Sequence, residues 1–338
     1  MKWEEKLVLV TGGASFIGSH LVDALVQKNC RVRVVDDFSS GKRENIQAHL
    51  NNNAIELMEA SLFEPDVVKR SMRDIDIVFH LAAVHGGRGY IDTHQADCSQ
   101  NFILDGLVIR EAKNAKVEKL VFASSGCVYP TEFQMDVNQE VYLSEDQVGP
   151  PYCADGQYGW AKLVAEMTLR AYYQEYGLKS VSCRFFTAYG ERCLESHAVM
   201  ALIARAFLRQ NPFEVWGDGE QIRNWTHVSD IVRGVILAAE TIDDARAVNL
   251  GTDERVRVID AVREILRHTG HECEIKFLLD KPTGPLNRAA SPQYASEACN
   301  WHASVPFVDG LHRTIDWYFA AKNREDLGSC FERRLTER

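Results

Sequence analysis

Short apolar runs alternate with amphipathic stretches through the first half of the chain. Lys6-Leu7-Val8-Leu9-Val10 is apolar and ends in glycine-rich turn chemistry. From Phe16 to Gln27 the apolar positions Ile17, Leu21, Leu25 and Val26 fall at helical spacing, which predicts a helix. Arg31-Val32-Arg33-Val34-Val35 reads as the next strand, and Ile75–His80 and Lys119–Ala123 as later ones, with helical stretches between. Strands that alternate with helices predict an α/β fold with a doubly wound parallel sheet. Such a sheet is covered on both faces, so its strands are apolar throughout. After about residue 185 the pattern loosens and is punctuated by Pro212, Gly217, Gly219, Pro282, Gly284 and Pro285. This part reads as a smaller, mixed α/β lobe interleaved with the last strands of the sheet. No internal repeat, low-complexity tract or flexible linker interrupts the chain.

Composition narrows the classes. With 338 residues the chain suits one large domain or two unequal ones. No apolar run approaches the ~20 residues needed to span a bilayer. The start, MKWEEKLVLVTGG, has acids where a signal peptide would be basic, so the expected compartment is the cytoplasm. The nine cysteines are scattered, with no CxxC pair and no zinc-like spacing. The expectation is therefore free thiols, mostly buried, and no metal. A formal net charge of −10 argues against general nucleic-acid binding and leaves room for a local basic site around a diphosphate.

Candidate chemistry begins at Thr11-Gly12-Gly13-Ala14-Ser15-Phe16-Ile17-Gly18, between the first strand and the first helix. A glycine turn there aims backbone N–H groups and a helix N-terminus at a pyrophosphate. Against the usual GxxGxxG spacing, Ser15 replaces the middle glycine. The next strand ends in Asp36-Asp37, and Asp36 lies 24 residues past Gly12. An acid at that place bonds an adenosine ribose diol and repels a 2′-phosphate. The pattern is a Rossmann dinucleotide site that prefers NAD over NADP.

Tyr158-Gly159-Trp160-Ala161-Lys162 puts a phenol and an ammonium on one helix face. A tyrosine near pKa ~10 is a poor base at neutral pH, and a neighbouring lysine helps to lower it. Ser124-Ser125-Gly126-Cys127-Val128-Tyr129-Pro130 follows a predicted strand, where a parallel sheet opens its ligand crevice. A serine there can hydrogen-bond the oxygen that Tyr158 deprotonates.

With these motifs the chain resembles the extended short-chain dehydrogenase/reductases, in particular their nucleotide-sugar epimerases and dehydratases. The matching segments include VTGGASFIGSH, VVDDFSSGK, HLAA at 80–83, SSGCVYP, YGWAK, RFFTAYG at 184–190, WGDGEQIRNWTHVSD at 216–230 and NLGT at 249–252. The resemblance implies a Ser125, Tyr158 and Lys162 catalytic set and a tightly held, recycled NAD. Gly12, Ser15, Phe16, Ile17, Gly18, Asp36, Leu81, Ala82 and Ala83, besides Tyr158 and Lys162, would surround that cofactor. Residues 1–185 would bind NAD, with a segment at about 225–255 returning to them, and 186–330 would form mainly the substrate lobe. Arg223 would meet the diphosphate of a nucleotide sugar, Arg288 the diphosphate or the sugar, and Asn101 would shape the substrate site through its helix. A homodimer packed through two helices is implied as well.

Position 127 bears on the reaction. In the resembled family an acid two residues past the catalytic serine or threonine suits 4,6-dehydratases, and a small or hydroxyl residue suits 4-epimerases. Cysteine carries protons readily, with a free pKa near ~8.5. The SS-x-C-x-YP arrangement and the loop Ala83–Ile91, with Gly86, Gly87 and Arg88, are similar to GDP-mannose 3,5-epimerases. There the cysteine works opposite a lysine. Glu191–Ala198 contains no lysine, and His197 falls at or beside that position. Histidine can do the same work. The expected reaction is therefore NAD-dependent epimerisation through a transient 4-keto sugar, in which Cys127 removes a ring proton and His197 returns it. The alternatives are a UDP-sugar 4-epimerase, a 4,6-dehydratase and an NAD-binding protein without catalysis.

Overall fold

The computed structural model describes residues 1–337. Six strands form a parallel sheet: β1 (Leu7–Thr11), β2 (Arg31–Asp36), β3 (Ile55–Glu59), β4 (Ile77–His80), β5 (Lys119–Ser125) and β6 (Ser180–Phe185). The strand Asp244–Leu250 adds a seventh at one edge, giving the order β3-β2-β1-β4-β5-β6 and then Asp244–Leu250. The chain reverses direction across the sheet between β1 and β4. A doubly wound sheet opens its ligand crevice at that point. Register aligns the strand ends there, with Thr11 beside both Val35 and His80.

Alternation along β1 explains why its strand is apolar throughout. Val8 and Val10 face one helical layer, with Phe79, Val181 and the helices Phe16–Gln27 and Val228–Thr241. Leu7 and Leu9 face the other, with Val78, Phe122 and the helices Asn101–Ala115 and Gly156–Tyr176. The sequence reading assigned no strand at β3, β6 or Asp244–Leu250: β3 is an edge strand whose Ile-Glu-Leu-Met-Glu is only partly covered and mixes both residue classes, and β6 is buried but alternates serines and an arginine with its apolar residues.

The C-terminal lobe has its own core, built on the helices Ala198–Phe207, Val258–Thr269 and Phe307–Ala321. A small ladder there runs Asn287–Arg288 parallel to Ile222–Arg223, so its register sets Arg288 beside Arg223. All nine cysteines are free, and Cys30, Cys98, Cys127, Cys183, Cys193 and Cys299 are buried. Among the described residues no helix is long and apolar enough to cross a membrane, and no group of side chains forms a metal site.

Candidate active site

A cleft of about 360 Å³ runs along the C-terminal ends of β1, β2, β4 and β5, from the glycine turn to Arg288. Gly12 has φ +69°, and a Cβ there would lie 2.9 Å from the Ala82 nitrogen. A Cβ on Gly18 would lie 2.1 Å from the Gly12 oxygen. Both contacts require glycine, and they press the turn against the helix as a backbone cradle. Ser15 caps the helix at φ −80°, where any residue fits, so losing the middle glycine does not disturb the turn. Phe16, Ile17, Leu81, Ala82 and Ala83 complete the wall. Asp36 accepts hydrogen bonds from the Ala14 and Phe38 nitrogens, each at 2.9 Å. Burial nonetheless pushes its carboxyl upward. The cradle, the buried carboxylate and the slot beyond fit a dinucleotide.

The other end of the cleft, where the candidate catalytic residues lie, is beside the terminus of β5. Ser125 caps a short turn over Gly126–Val128, and its Oγ accepts from the Cys127 nitrogen at 3.1 Å. The helix Gly156–Tyr176 docks on this turn, with the Asp155 nitrogen donating to the Cys127 oxygen at 2.9 Å. Tyr158, in the first turn of that helix, is hydrogen-bonded with Ser125. Burial, then negative charge at Cys127, Asp105 and Cys98, hold its phenol well above the ordinary tyrosine value, and the Ser125 bond opposes them. Lys162 is 1% exposed. Its ammonium lies 3.7 Å from Asp105 and 4.5 Å from the Phe122 ring centroid, but 5.8 Å from that of Tyr158. The sequence led us to expect a lysine working on the phenol; here the ammonium is drawn toward Asp105.

Cys127 is not on the cleft wall. It sits behind it in an apolar cluster with Val84, Tyr90, Ile91, Cys98 and Tyr158. Arg288 covers it, donating Nη1 to Sγ at 3.4 Å. His197 does reach the wall, and burial pulls its imidazole down to about 4. Between His197 and Tyr158 stands His85, with ring centroids 5.6 and 4.9 Å away. The loop of His85 can approach that of His197 because Gly87 has no side chain; a Cβ there would lie 1.7 Å from the Ser196 oxygen.

Three arginines gather at the outer end. Arg88 grips Asp155 with two bonds of 2.7 and 3.2 Å and also holds Asp92 at 2.8 Å. Arg288 reaches Asp155 at 3.1 Å and Gln134 at 2.6 Å. Burial would raise the Asp155 carboxyl, but Arg88 and Arg288 hold it below the usual range. Arg223 donates only to the carbonyls of Ile222 and Thr283, at 2.8 and 2.7 Å. Burial and the charges of Arg288 and Arg88 bring it down to about 9. A third anion is therefore wanted here.

Asn101 belongs to the scaffold. Its amide accepts from the Val84 nitrogen and donates to the Val84 and Cys98 oxygens, all within 2.9 Å, which fixes the loop before His85, and the side chain is fully buried there. Sequence reasoning missed His85, Asp105 and Asp155. Each becomes informative only through a partner distant in the chain.

The sequence profile of the NAD dependent epimerase/dehydratase family matches residues 8–251. The chain belongs to that family, and NAD is its cofactor. UDP-glucuronic acid decarboxylase 1 of Xenopus tropicalis is 28% identical over 93% of this chain and 72% of its own length. GDP-mannose 3,5-epimerase 1 of Oryza sativa subsp. indica is 28% identical over 93% of this chain and 82% of its own. The crystal structure of the Thermus thermophilus UDP-glucose 4-epimerase complex with NAD superposes with a TM-score of 0.81 at 26% identity, covering 94% of this chain and 100% of that one.

Proposed function

We propose that the protein is a nucleotide-sugar epimerase that works through a transient 4-keto sugar, with Cys127 and His197 exchanging a ring proton beside the ketone. The observation that carries this reading is one cleft whose wall joins the Ser125–Tyr158 pair and His197 at the end of the dinucleotide slot, with Cys127 directly behind that wall under Arg288. NAD, when bound, supplies the hydride acceptor and, in its oxidised form, a positive charge that favours the phenolate. Tyr158 takes the C4 hydroxyl proton and Ser125 holds the same oxygen. The carbonyl so formed acidifies the hydrogens at C3 and C5. His197 is neutral at pH 7, because burial disfavours its charged form. It therefore acts as the acceptor, and the Cys127 thiol donates on the other side. This reverses the roles expected from the sequence. Arg223 and Arg288 suit the diphosphate, since their charges exceed what Asp155 balances. A substrate that draws Arg288 away uncovers Cys127.

Residues 1–185, with about 225–255, carry the cofactor in this reading, and 186–330 close over the sugar nucleotide. A homodimer is part of it. Trp160, Val164 and Met167 are exposed at i, i+4 and i+7 on one helix face, and Phe102 and Ile103 are exposed on its partner helix.

The second reading is a UDP-sugar 4-epimerase, favoured by the cover of Arg288 over Cys127. Nucleotide sugars incubated with the protein in deuterated water separate the two. Deuterium at C3 or C5 with inversion of that centre, the inversion lost in Cys127→Ser while C4 oxidation persists as transient NADH absorbance, supports the first. C4 inversion without ring deuterium supports the second. Water loss marks a dehydratase, carbon dioxide release a decarboxylase, and no turnover of any nucleotide sugar removes the enzymatic reading.

A further inference from the structure

We propose that Asp105 is a positioning residue whose carboxylate, oriented by His80, holds the Lys162 ammonium at the cofactor cleft and links it to the glycine turn. The inference needs NAD in the cleft but not the sugar reaction, so the two can fail separately.

Hydrogen-bond direction can be followed along the whole chain of contacts. The Thr11 hydroxyl oxygen accepts from the Leu81 and Ala82 nitrogens, both at 3.1 Å. Its proton is therefore available to His80 Nδ1, 2.8 Å away. An imidazole that accepts at Nδ1 carries its proton on Nε2 when neutral. Nε2 then donates to Asp105 Oδ1 at 3.0 Å. His80 is fully buried, and that burial favours the neutral ring. Asp105 is 2% exposed, and its second oxygen, Oδ2, has no hydrogen-bond partner. Lys162 Nζ also has none, and the two lie 3.7 Å apart.

A buried carboxylate with one neutral donor is costly, and so is a buried ammonium over an aromatic ring; opposite charge at this distance compensates both. Each keeps bonding capacity that a third group can fill. The arrangement depends on register. Parallel pairing sets Thr11 beside His80, and Thr11 directly precedes Gly12, so the cofactor turn and the lysine share one buried line of contacts.

The charged and titratable groups facing this line are His80 from β4, Asp105 from the helix Asn101–Ala115, and Lys162 and Tyr158 from the helix Gly156–Tyr176. Cys98 and Cys127 act on Tyr158. With Asp105 charged, the lysine pair is neutral. Asp105→Asn leaves one net positive charge beside the cofactor, which disfavours the cationic oxidised nicotinamide relative to the reduced one. It also leaves Lys162 a buried ammonium without a counter-ion, which sheds its proton at lower pH.

The test titrates NAD+ and NADH binding to the full-length protein by fluorescence between about pH 6 and 9. In wild type the ratio of the two affinities is expected to stay flat. In Asp105→Asn it should move toward NADH by roughly tenfold at low pH and return as pH rises. In Asp105→Asn combined with Lys162→Met it should be flat again. An unchanged, pH-independent ratio in folded Asp105→Asn overturns the proposal, because a merely structural aspartate would not produce a lysine-dependent pH response. If Asp105→Asn does not fold, Asp105→Thr carries the same expectation. Independently, nitrogen NMR of wild type should find His80 as the neutral Nε2–H tautomer; the Nδ1–H tautomer would also overturn it.

Discussion

Two residues turn the proposed chemistry into measurements. Tyr158→Phe removes the oxygen that exchanges the C4 hydroxyl proton and leaves the ring that packs with Cys98 and Cys127. Turnover should fall by ~10²–10⁴, the range for losing a general base, with the ratio of NAD to purified protein unchanged. Near-normal turnover would remove Tyr158 from the mechanism. His197 supports a stability prediction. Its imidazole is held near 4 when folded and titrates near ~6.5 when unfolded, so the unfolded chain binds more protons between those values. Stability contributed by the neutral ring is complete above pH 6.5 and is lost as pH falls toward 4. Wild type should therefore lose about 2–3 kcal/mol more than His197→Asn on moving from pH 7 to 4.5, read from urea unfolding at both values. Equal losses would mean that the ring is solvated.

At the scale of elements, the cleft depends on two loops whose backbones approach most closely at a glycine. Gly87→Ala puts a methyl where the Ser196 carbonyl stands, and backbone cannot yield as a flexible side chain does. The loops bearing His85 and His197 must part, at a cost on the order of 1–3 kcal/mol. Turnover should drop at least tenfold while NAD binding, set by the distant Gly12 turn, stays close to wild type. A fully active Gly87→Ala would show that the His85–His197 approach is not needed. The elements around this contact differ in how legible they were. β1 and the first helix were plain, because covering both faces of a sheet demands an unbroken apolar run and a helix needs a single stripe. β3 was not, because an edge strand obeys neither rule.

For the whole molecule, the proposed dimer follows from what the monomer leaves exposed. Trp160, Val164 and Met167 form a stripe on the same helix that carries Tyr158 and Lys162, and Phe102 and Ile103 extend it on the helix that carries Asp105. Val164→Glu with Met167→Glu should convert a sedimenting dimer to monomer while leaving the far-UV circular dichroism unchanged. Persistence of the dimer would place the interface elsewhere.

What the sequence determined by itself was local. Hydrophobic period named most of the first-half elements, the glycine turn pointed to the dinucleotide, and YGWAK with SSGC supplied the proposed reacting pair, because each requirement is met within a few consecutive residues. Tertiary structure decided which residues surround that pair. Asp105 meets Lys162 across 57 positions, Asp155 meets Arg288 across 133, and His85 meets His197 across two loops. None of these pairs has a spacing that a helix or strand would impose. Burial makes the same distinction for charge. The sequence offers His197 as a proton donor opposite Cys127, and only the removal of water around the ring shows that its charged form is disfavoured, which is why the proposed mechanism makes it the acceptor.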